Sequence, residues 1–473
     1  MWSQRIILSF LLFMIFLSCV DKDNKEKRTV KNVLFIANDD LRPELPVYQK
    51  SRVEAPIMDN LANSSLIFNN AFCQFSWCSP SRSSLLTGMR PDHIQVTDLS
   101  THFRDTRPEV VTLPQYFKNN GYLTLGYGKI FHNDTSLQDA LSWSEPCWLP
   151  PVKQPILAYA NPANQEIASR HQGKSFPTEK FDGPDNAYPD GQVTEKALAA
   201  LEKINNSEPF FLAVGFYKPH LPFTAPKKYW DLYKKEDLKF SKPNKPPTDA
   251  PPFIFRSWSE PGSYYKASNK EPFNDSLSLE LVHGYYACIS FIDAQIGKLI
   301  DGLKIKGVFE NTLIVLWGDH GWKLGEYGRW SKHSNLSLDT RVPFMISHPE
   351  LKSARKINQV VELIDLYPTL ITMAGLPPVN NRPGQDLSIL LNDDQAVLKK
   401  DFAVSQIEHE GYQGYSLKTK AYRFTEWNNE EGDTHFELYD QKQDSLETRN
   451  LALLDRYKPV VDSLKIKLRN IIN

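Results

Sequence analysis

Cysteine is scarce: five residues in a chain of 473 make no disulfide framework, and no Cys-x-x-Cys knuckle is present to hold zinc. An excess of one charge is also missing. Lys and Arg number 55 against 56 Asp and Glu, a formal net charge of −1, without the basic surplus that a nucleic-acid binder carries; local basic pockets remain compatible with that balance. The leading apolar run, Ile6–Leu17, is too short to span a membrane as a mature helix. What remains is an ordinary globular composition, 41% hydrophobic and 23% charged, in a chain long enough for one large domain with a sizeable core and a smaller second unit. The 33 prolines point to long, rigid loops carried on a scaffold, as in enzymes with built-up substrate clefts.

The first residues read as an address. Arg5 precedes the apolar run, which breaks at Ser18-Cys19, so residues 1–19 form a signal peptide. Leu17-Ser18-Cys19 resembles a bacterial lipobox with Cys19 as the lipid-bearing residue, and the polar stretch 20–29 reads as a tether. The expected location is the bacterial cell envelope, as a periplasmic or surface lipoprotein whose membrane contact is the anchor on Cys19; the alternative is a freely secreted protein.

From residue 30 the pattern alternates. Val30–Asn38 is a continuous apolar run of strand length, as in a buried parallel strand, and it ends in Asn38-Asp39-Asp40. Met58–Phe72 carries apolar residues at helical spacing. Tyr122–Tyr127 is a short strand leading to Lys129 and His132, and Pro209–Phe216 is another, delivering Lys218-Pro219-His220. Ser276–Lys304 has the longest helical pattern, with Leu281, Tyr285, Cys288, Ile292, Ile296 and Leu299 on one face. Asn311–Trp317 is a strand ending in Gly318-Asp319-His320. Residues 133–190 and 224–275 lack periodicity and read as loop-rich excursions that shape a cleft. The predicted class is α/β, a central sheet layered by helices over residues 30–385. A smaller C-terminal α+β unit follows over 386–473, with strands at Tyr415–Thr419, Tyr422–Trp427 and His435–Tyr439 and a last helix to Ile472.

Polar residues thus collect after the strands, where open α/β sheets gather ligands. Two adjacent carboxylates at the end of a buried strand are costly unless a cation neutralises them, and carboxylate oxygens suit calcium or magnesium. Between the first strand and Lys129 lies the run Cys78-Ser79-Pro80-Ser81-Arg82, then Leu85-Leu86-Thr87-Gly88-Met89-Arg90. Its cysteine ends a loop, Ser81 caps and Arg82 begins a short helix, so the thiol sits in a positive field.

The spacing C-x-P-S-R then L-x-T-G-x-R resembles that of the type I sulfatases, and the likeness runs from about residue 30 to the C-terminus. It is carried by Asn32–Arg42, Ala71–Asp92, Pro114–His132, Phe210–Phe223 and Asp319–Asn335, and it lies closest to the iduronate-2-sulfatase branch, which has His where many sulfatases have Asn at position 320. The resemblance implies an alkaline-phosphatase-like mixed sheet. It also implies that Cys78, not Cys73, is converted to formylglycine (3-oxoalanine) by a formylglycine-generating or anaerobic sulfatase-maturating enzyme. One Ca2+ would be held by Asp39, Asp40, Asp319, His320 and the modified Cys78. A hydroxyl of the hydrated aldehyde would attack sulfur, with Asp40 as base and with Arg82, Lys129 and Lys332 around the anion. His220, or Lys332 beside it, would protonate the departing sugar oxygen, and His132 would then deprotonate the second hydroxyl to expel sulfate. With Cys78 converted, Cys73, Cys147 and Cys288 remain, an odd number.

The implied substrate is a sulfated oligosaccharide. Candidates are a 2-sulfated uronate from glycosaminoglycan fragments, cleaved in exo fashion, or a marine polysaccharide. Asp98, His102 and Arg104 match loosely a substrate-side loop, and Trp322 is placed to stack on a sugar face. Two alternatives stay open: a phosphonate or phosphate monoester hydrolase of the same superfamily, and a non-catalytic glycan-binding surface lipoprotein.

Overall fold

The strand Asn32–Asp39 lies at the middle of the large sheet with all eight residues buried, which is why it reads as an unbroken apolar run. The description below follows a computed structural model covering residues 30–472 except 152–157, 241–244, 256–257, 268–269, 352 and 394. The signal-peptide, lipid-anchor and tether readings at 1–29 lie outside the described residues.

In chain order the strands are β1 (Asn32–Asp39), β2 (Ser65–Phe72), β3 (Leu123–Gly128), β4 (Thr178–Phe181), β5 (Phe210–Pro219), β6 (Phe223–Pro226), β7 (Thr312–Gly318), β8 (Arg341–Val342), β9 (Phe344–Ser347), β10 (Arg355–Glu362), β11 (Phe402–His409), β12 (Tyr412–Thr419), β13 (Tyr422–Asn429) and β14 (Thr434–Asp440). The large sheet runs β10-β2-β9-β7-β1-β5-β3, with β8 paired to β2. β1 is parallel to both β5 and β7, whereas β9 is antiparallel to β7 and β2, so the sheet is mixed. Alternate residues of β1 serve opposite layers. Leu34 and Ile36 join a core built on the helix Asp275–Ile305, and Val33, Phe35 and Ala37 join one that includes Leu85 and Leu86 of the helix Cys78–Thr87. All six residues of the stripe predicted on the long helix are fully buried.

Part of the expected secondary structure differs. Met58–Phe72 is a helix only over Pro56–Ala62, and Ser65–Phe72 is strand β2. Pairing with β9 and β10 outweighs the helical spacing of its apolar residues. The helix after the loop begins at Cys78 itself, with Trp77 as N-cap, rather than at Arg82. The small sheet β11-β12-β13-β14 contains one strand, β11, that was not named from the sequence. Residues 386–401 place Leu387, Leu390, Ala396 and Leu398 in the large domain's core, and the small sheet itself starts at Phe402. One face of that sheet packs on the terminal helix Lys458–Ile472 through Val404, Leu417, Phe424, Leu438, Val461 and Leu468. The other braces the loop that enters the Cys78 helix, where Ile407 and Trp427 cluster with Phe75 and the Gln406 amide donates to the Gln74 carbonyl at 2.8 Å.

Candidate active site

The loop 73–77 delivers Cys78 to a helix N-terminus, and Pro80 stands in the first turn, where its missing N–H costs nothing. The rest of the motif is structural. Gly88 ends the helix at φ +66°, and a Cβ there would sit 2.9 Å from the Tyr367 ring. Arg90 makes a bidentate pair with buried Glu362 at 2.8 and 3.1 Å.

Beyond β1 the chain turns sharply at Asp40, whose φ of +61° an aspartate tolerates. The turn is clamped: the Tyr285 hydroxyl donates to the Asp40 carbonyl at 2.7 Å, and the Asp40 amide donates to Asp319 Oδ1 at 3.0 Å. The ends of β1 and β7 are thereby locked together. Arg82, fully buried, donates to Asp319 Oδ2 at 2.8 Å and reaches Asp39 Oδ1 at 3.4 Å. Lys129, just past β3, pairs with Asp39 Oδ2, and Lys332 donates to both oxygens of Asp40 at 2.8 and 3.0 Å.

The five predicted metal ligands converge. Ligand atoms of Asp39, Cys78, Asp319 and His320 lie within 4.8 Å of one another, as do those of Asp39, Asp40, Cys78 and His220. His320 supplies the clearest sign that a cation fits. Its Nδ1 faces the Gly321 carbonyl at 3.0 Å and must donate to it, which leaves the Nε2 lone pair facing Asp40 Oδ1 at 3.4 Å and Asp319 Oδ2 at 3.6 Å. The same lone pair faces Cys78 Sγ at 3.2 Å, whose thiol proton satisfies it in the unmodified chain. A cation would serve the lone pair and both carboxylates at once, and a carbonyl on the far nitrogen is the usual support for a metal-binding imidazole. Burial and carboxylate neighbours push Asp40 well above the usual range and Asp319 up to about 6. Asp39 is likewise raised by burial, but Lys129, His220, Arg82 and Lys332 outweigh that and hold it low. Burial and Asp39 push the Cys78 thiol well above its ordinary value, against the pull of Lys129 and Lys332. Burial and Asp39 thus outweigh the positive field expected at the helix N-terminus.

A cleft of about 330 Å³ opens beside this cluster, lined by Asp39, Lys129, His132, Tyr217, His220 and Tyr264 among others. It is the size of an ordinary small-ligand site. His132 turns into buried surroundings an Nδ1 that has no hydrogen-bond partner among the described residues, and burial with Lys129 lowers it to about 3. The excursion 133–190 borders the cleft as expected, through Asn133, Gln172 and Lys174.

The sequence-based substrate residues fare differently. Trp322 is fully buried, carbonyl held by Arg42 and ring lying under the Lys332 ammonium at 5.2 Å, so it has no free face for a sugar. Asp98 accepts from the amides of Ser100 and Thr101 at 2.7 and 2.6 Å. His102 caps a short turn by accepting from the Arg104 amide at 3.0 Å. The Arg104 guanidinium is committed to Asp139, Gln115 and the carbonyls of Pro108 and Val110. All three hold their own loop together, and none lines the cleft. Two residues at the site were not picked out from the sequence. Tyr217 has a buried hydroxyl without a hydrogen-bond partner among the described residues, and Glu260 contacts both His220 and Lys332. Tyr217 lies inside the stretch Phe210–Phe223 that carries the resemblance, next to the more conspicuous His220, and Glu260 lies where no periodicity or motif marks it. The four described cysteines are all free thiols.

Buried carboxylates, an imidazole lone pair, a helix N-terminus and three cations, gathered at strand ends beside a cleft, define a hydrolase built for an anionic ester. The family described as Sulfatase matches residues 31–376, and the C-terminal region described for N-sulphoglucosamine sulphohydrolase matches 325–473. The iduronate 2-sulfatase of Mus musculus is 34% identical over 417 residues, covering 80% of this chain and 75% of its own. A sulfatase of Formosa agariphila is 30% identical over 476 residues, covering 97% and 90%. In fold, the phosphonate monoester hydrolase of Agrobacterium radiobacter superposes with a TM-score of 0.76 at 19% identity, covering 93% of this chain and 95% of that one. The chain belongs to the sulfatase family, and it is a sulfuric ester hydrolase. No helix among the described residues is long and apolar enough to cross a membrane.

Proposed function

We propose that this sulfatase is an exo-acting uronate 2-O-sulfatase on glycosaminoglycan or marine polysaccharide fragments, with formylglycine at position 78 and one calcium ion. The observation that carries the reading is the Asp319-His320 pair facing Cys78, whose Sγ lies 3.2 Å from His320 Nε2, in a chain 30–34% identical to proteins named iduronate 2-sulfatase and sulfatase. In the mature protein the Cys78 sulfur position is taken by oxygen, which suits a hard cation better than a thiol does.

Asp39, Asp40, Asp319 and His320 would hold the calcium ion, which supplies positive charge against the sulfuryl oxygens and the attacking oxygen. The hydrated aldehyde at residue 78 supplies the nucleophile. The chain's own residues do the rest. Lys129 and Lys332 flank the anion, and Arg82 holds Asp39 and Asp319 in place. Burial lowers Lys332, but Asp40, Cys78 and Glu260 outweigh it, so its ammonium is available to the departing sugar oxygen, with His220 Nε2 on the same side. His132, whose Nδ1 has no hydrogen-bond partner among the described residues and which lines the cleft, is placed to take the proton released when sulfate leaves. Lipid anchoring at Cys19 and maturation by a dedicated enzyme belong to the same reading.

The test is sulfate release, by ion chromatography, from defined sulfated oligosaccharides and their phosphorylated counterparts. A 2-sulfated uronate at the non-reducing end is expected to lead the panel. Faster phosphate release, or a preference for sulfated hexosamine, overturns the assignment.

A further inference from the structure

One carboxylate at the site has no part in holding the cation cluster. Glu260 opens the turn Pro261–Ser263 inside the second excursion. Its Oε1 lies 3.5 Å from His220 Nε2 and its Oε2 lies 3.8 Å from Lys332 Nζ. That Oε2 is buried and has no hydrogen-bond partner among the described residues. An anionic side chain beside an anion-binding site is unfavourable for substrate binding unless it serves the part of the substrate that is not the sulfate.

The surrounding geometry fixes where it acts. Lys332 spends two donors on Asp40, and its remaining N–H is free for the side on which Glu260 stands. His220 is pinned at the other end, Nδ1 donating to the Leu221 carbonyl at 2.6 Å, so Nε2 is the nitrogen that faces Glu260 and the cleft, and it donates to Glu260 only when it carries a proton. The loop carrying Glu260 is tied to the loop carrying Lys332 through Glu271, whose Oε1 accepts from Ser259 Oγ at 2.9 Å and from the Trp330 amide at 3.0 Å. Two loops far apart in sequence are thus held in register around one pair of side chains.

We infer that Glu260 is a positioning residue that holds His220 and Lys332 together on the leaving-group side of the sulfate ester. The inference rests on the sulfatase reading above and adds a role inside it. A group that acts there matters in proportion to the charge developing on the departing oxygen, which is large for a sugar alcohol and small for a nitrophenol.

The experiment uses full-chain enzyme made in a host that matures Cys78, with wild type, Glu260→Gln, His220→Ala and the double variant. On a 2-sulfated uronate disaccharide, Glu260→Gln is expected to lower kcat by about 10- to 100-fold, a fraction of what a general acid contributes, with KM nearly unchanged. On nitrophenyl sulfate the loss is expected to stay within about threefold. In the His220→Ala background the same change is expected to cost clearly less than in wild type, the remainder being its effect through Lys332, because coupled residues are non-additive. Equal losses on the two substrates, no loss on the disaccharide, or full additivity in the double variant each overturns the assignment; where nitrophenyl sulfate is not turned over, additivity alone decides. A wild-type enzyme that releases no sulfate from any saccharide removes the functional reading, and this inference with it. Wild-type turnover with an unaffected Glu260→Gln variant removes this inference alone.

Discussion

Replacing Cys78 by Ala is expected to reduce sulfate release by at least about 10,000-fold, the scale on which enzymes lose activity when a nucleophile is removed, while the melting temperature stays close to that of wild type. The side chain is small and buried at a helix N-terminus, so truncation to Ala leaves only a minor cavity. Cys78→Ser is expected to do little better, because a serine has no second hydroxyl with which to expel sulfate. The measurement is initial-rate sulfate release on a sulfated disaccharide, with folding followed by thermal melting. Activity within tenfold of wild type in either variant contradicts the role given to this residue. Burial and then Asp39 raise the Cys78 thiol, which makes the unmodified residue a poorer nucleophile than an ordinary cysteine.

Loss of a proposed metal ligand is expected to be nearly as damaging. Asp319→Asn keeps the shape of the side chain but removes one charge from a cluster that holds Arg82, the Asp40 amide and the His320 lone pair in register. A fall in kcat of about 100-fold or more is expected, since ligand and supporting groups at metal sites each carry effects of that order. Treating wild type with a chelator is expected to have the same consequence, reversed by calcium. In Asp319→Asn, added calcium should restore activity only in part. Full chelator-treated activity in wild type, or an Asp319→Asn variant as active as wild type, contradicts the assignment of a cation to this cluster.

Much of the site is legible in the chain because its parts stand at the ends of strongly patterned elements. β1 and β7 are buried on both faces, so Asp39-Asp40 and Asp319-His320 follow continuous apolar runs, and a buried carboxylate pair announces a cation. A short helix at the Cys78 motif is legible, though it starts at Cys78 and not at Arg82, and the Gly88 and Arg90 positions of the motif turn out to be structural. Strand β2 misleads because its apolar residues keep helical spacing and only its partners, β9 and β10, reveal the strand. Trp322 misleads for a different reason. An aromatic residue three positions after Asp319 looks available to a sugar, yet the loop folds Lys332 over it. Glu260 carries no local signal at all, since the role proposed for it depends on Glu271 joining two distant loops.

The most direct measurement is the mass of the tryptic peptide containing residue 78, taken from enzyme purified in active form from its native host. The expected peptide is lighter than the encoded one by a sulfur and two hydrogens and heavier by an oxygen, an aldehyde in place of the thiol, with the hydrate alongside it. A fully active preparation whose residue 78 is intact cysteine would contradict the central claim outright.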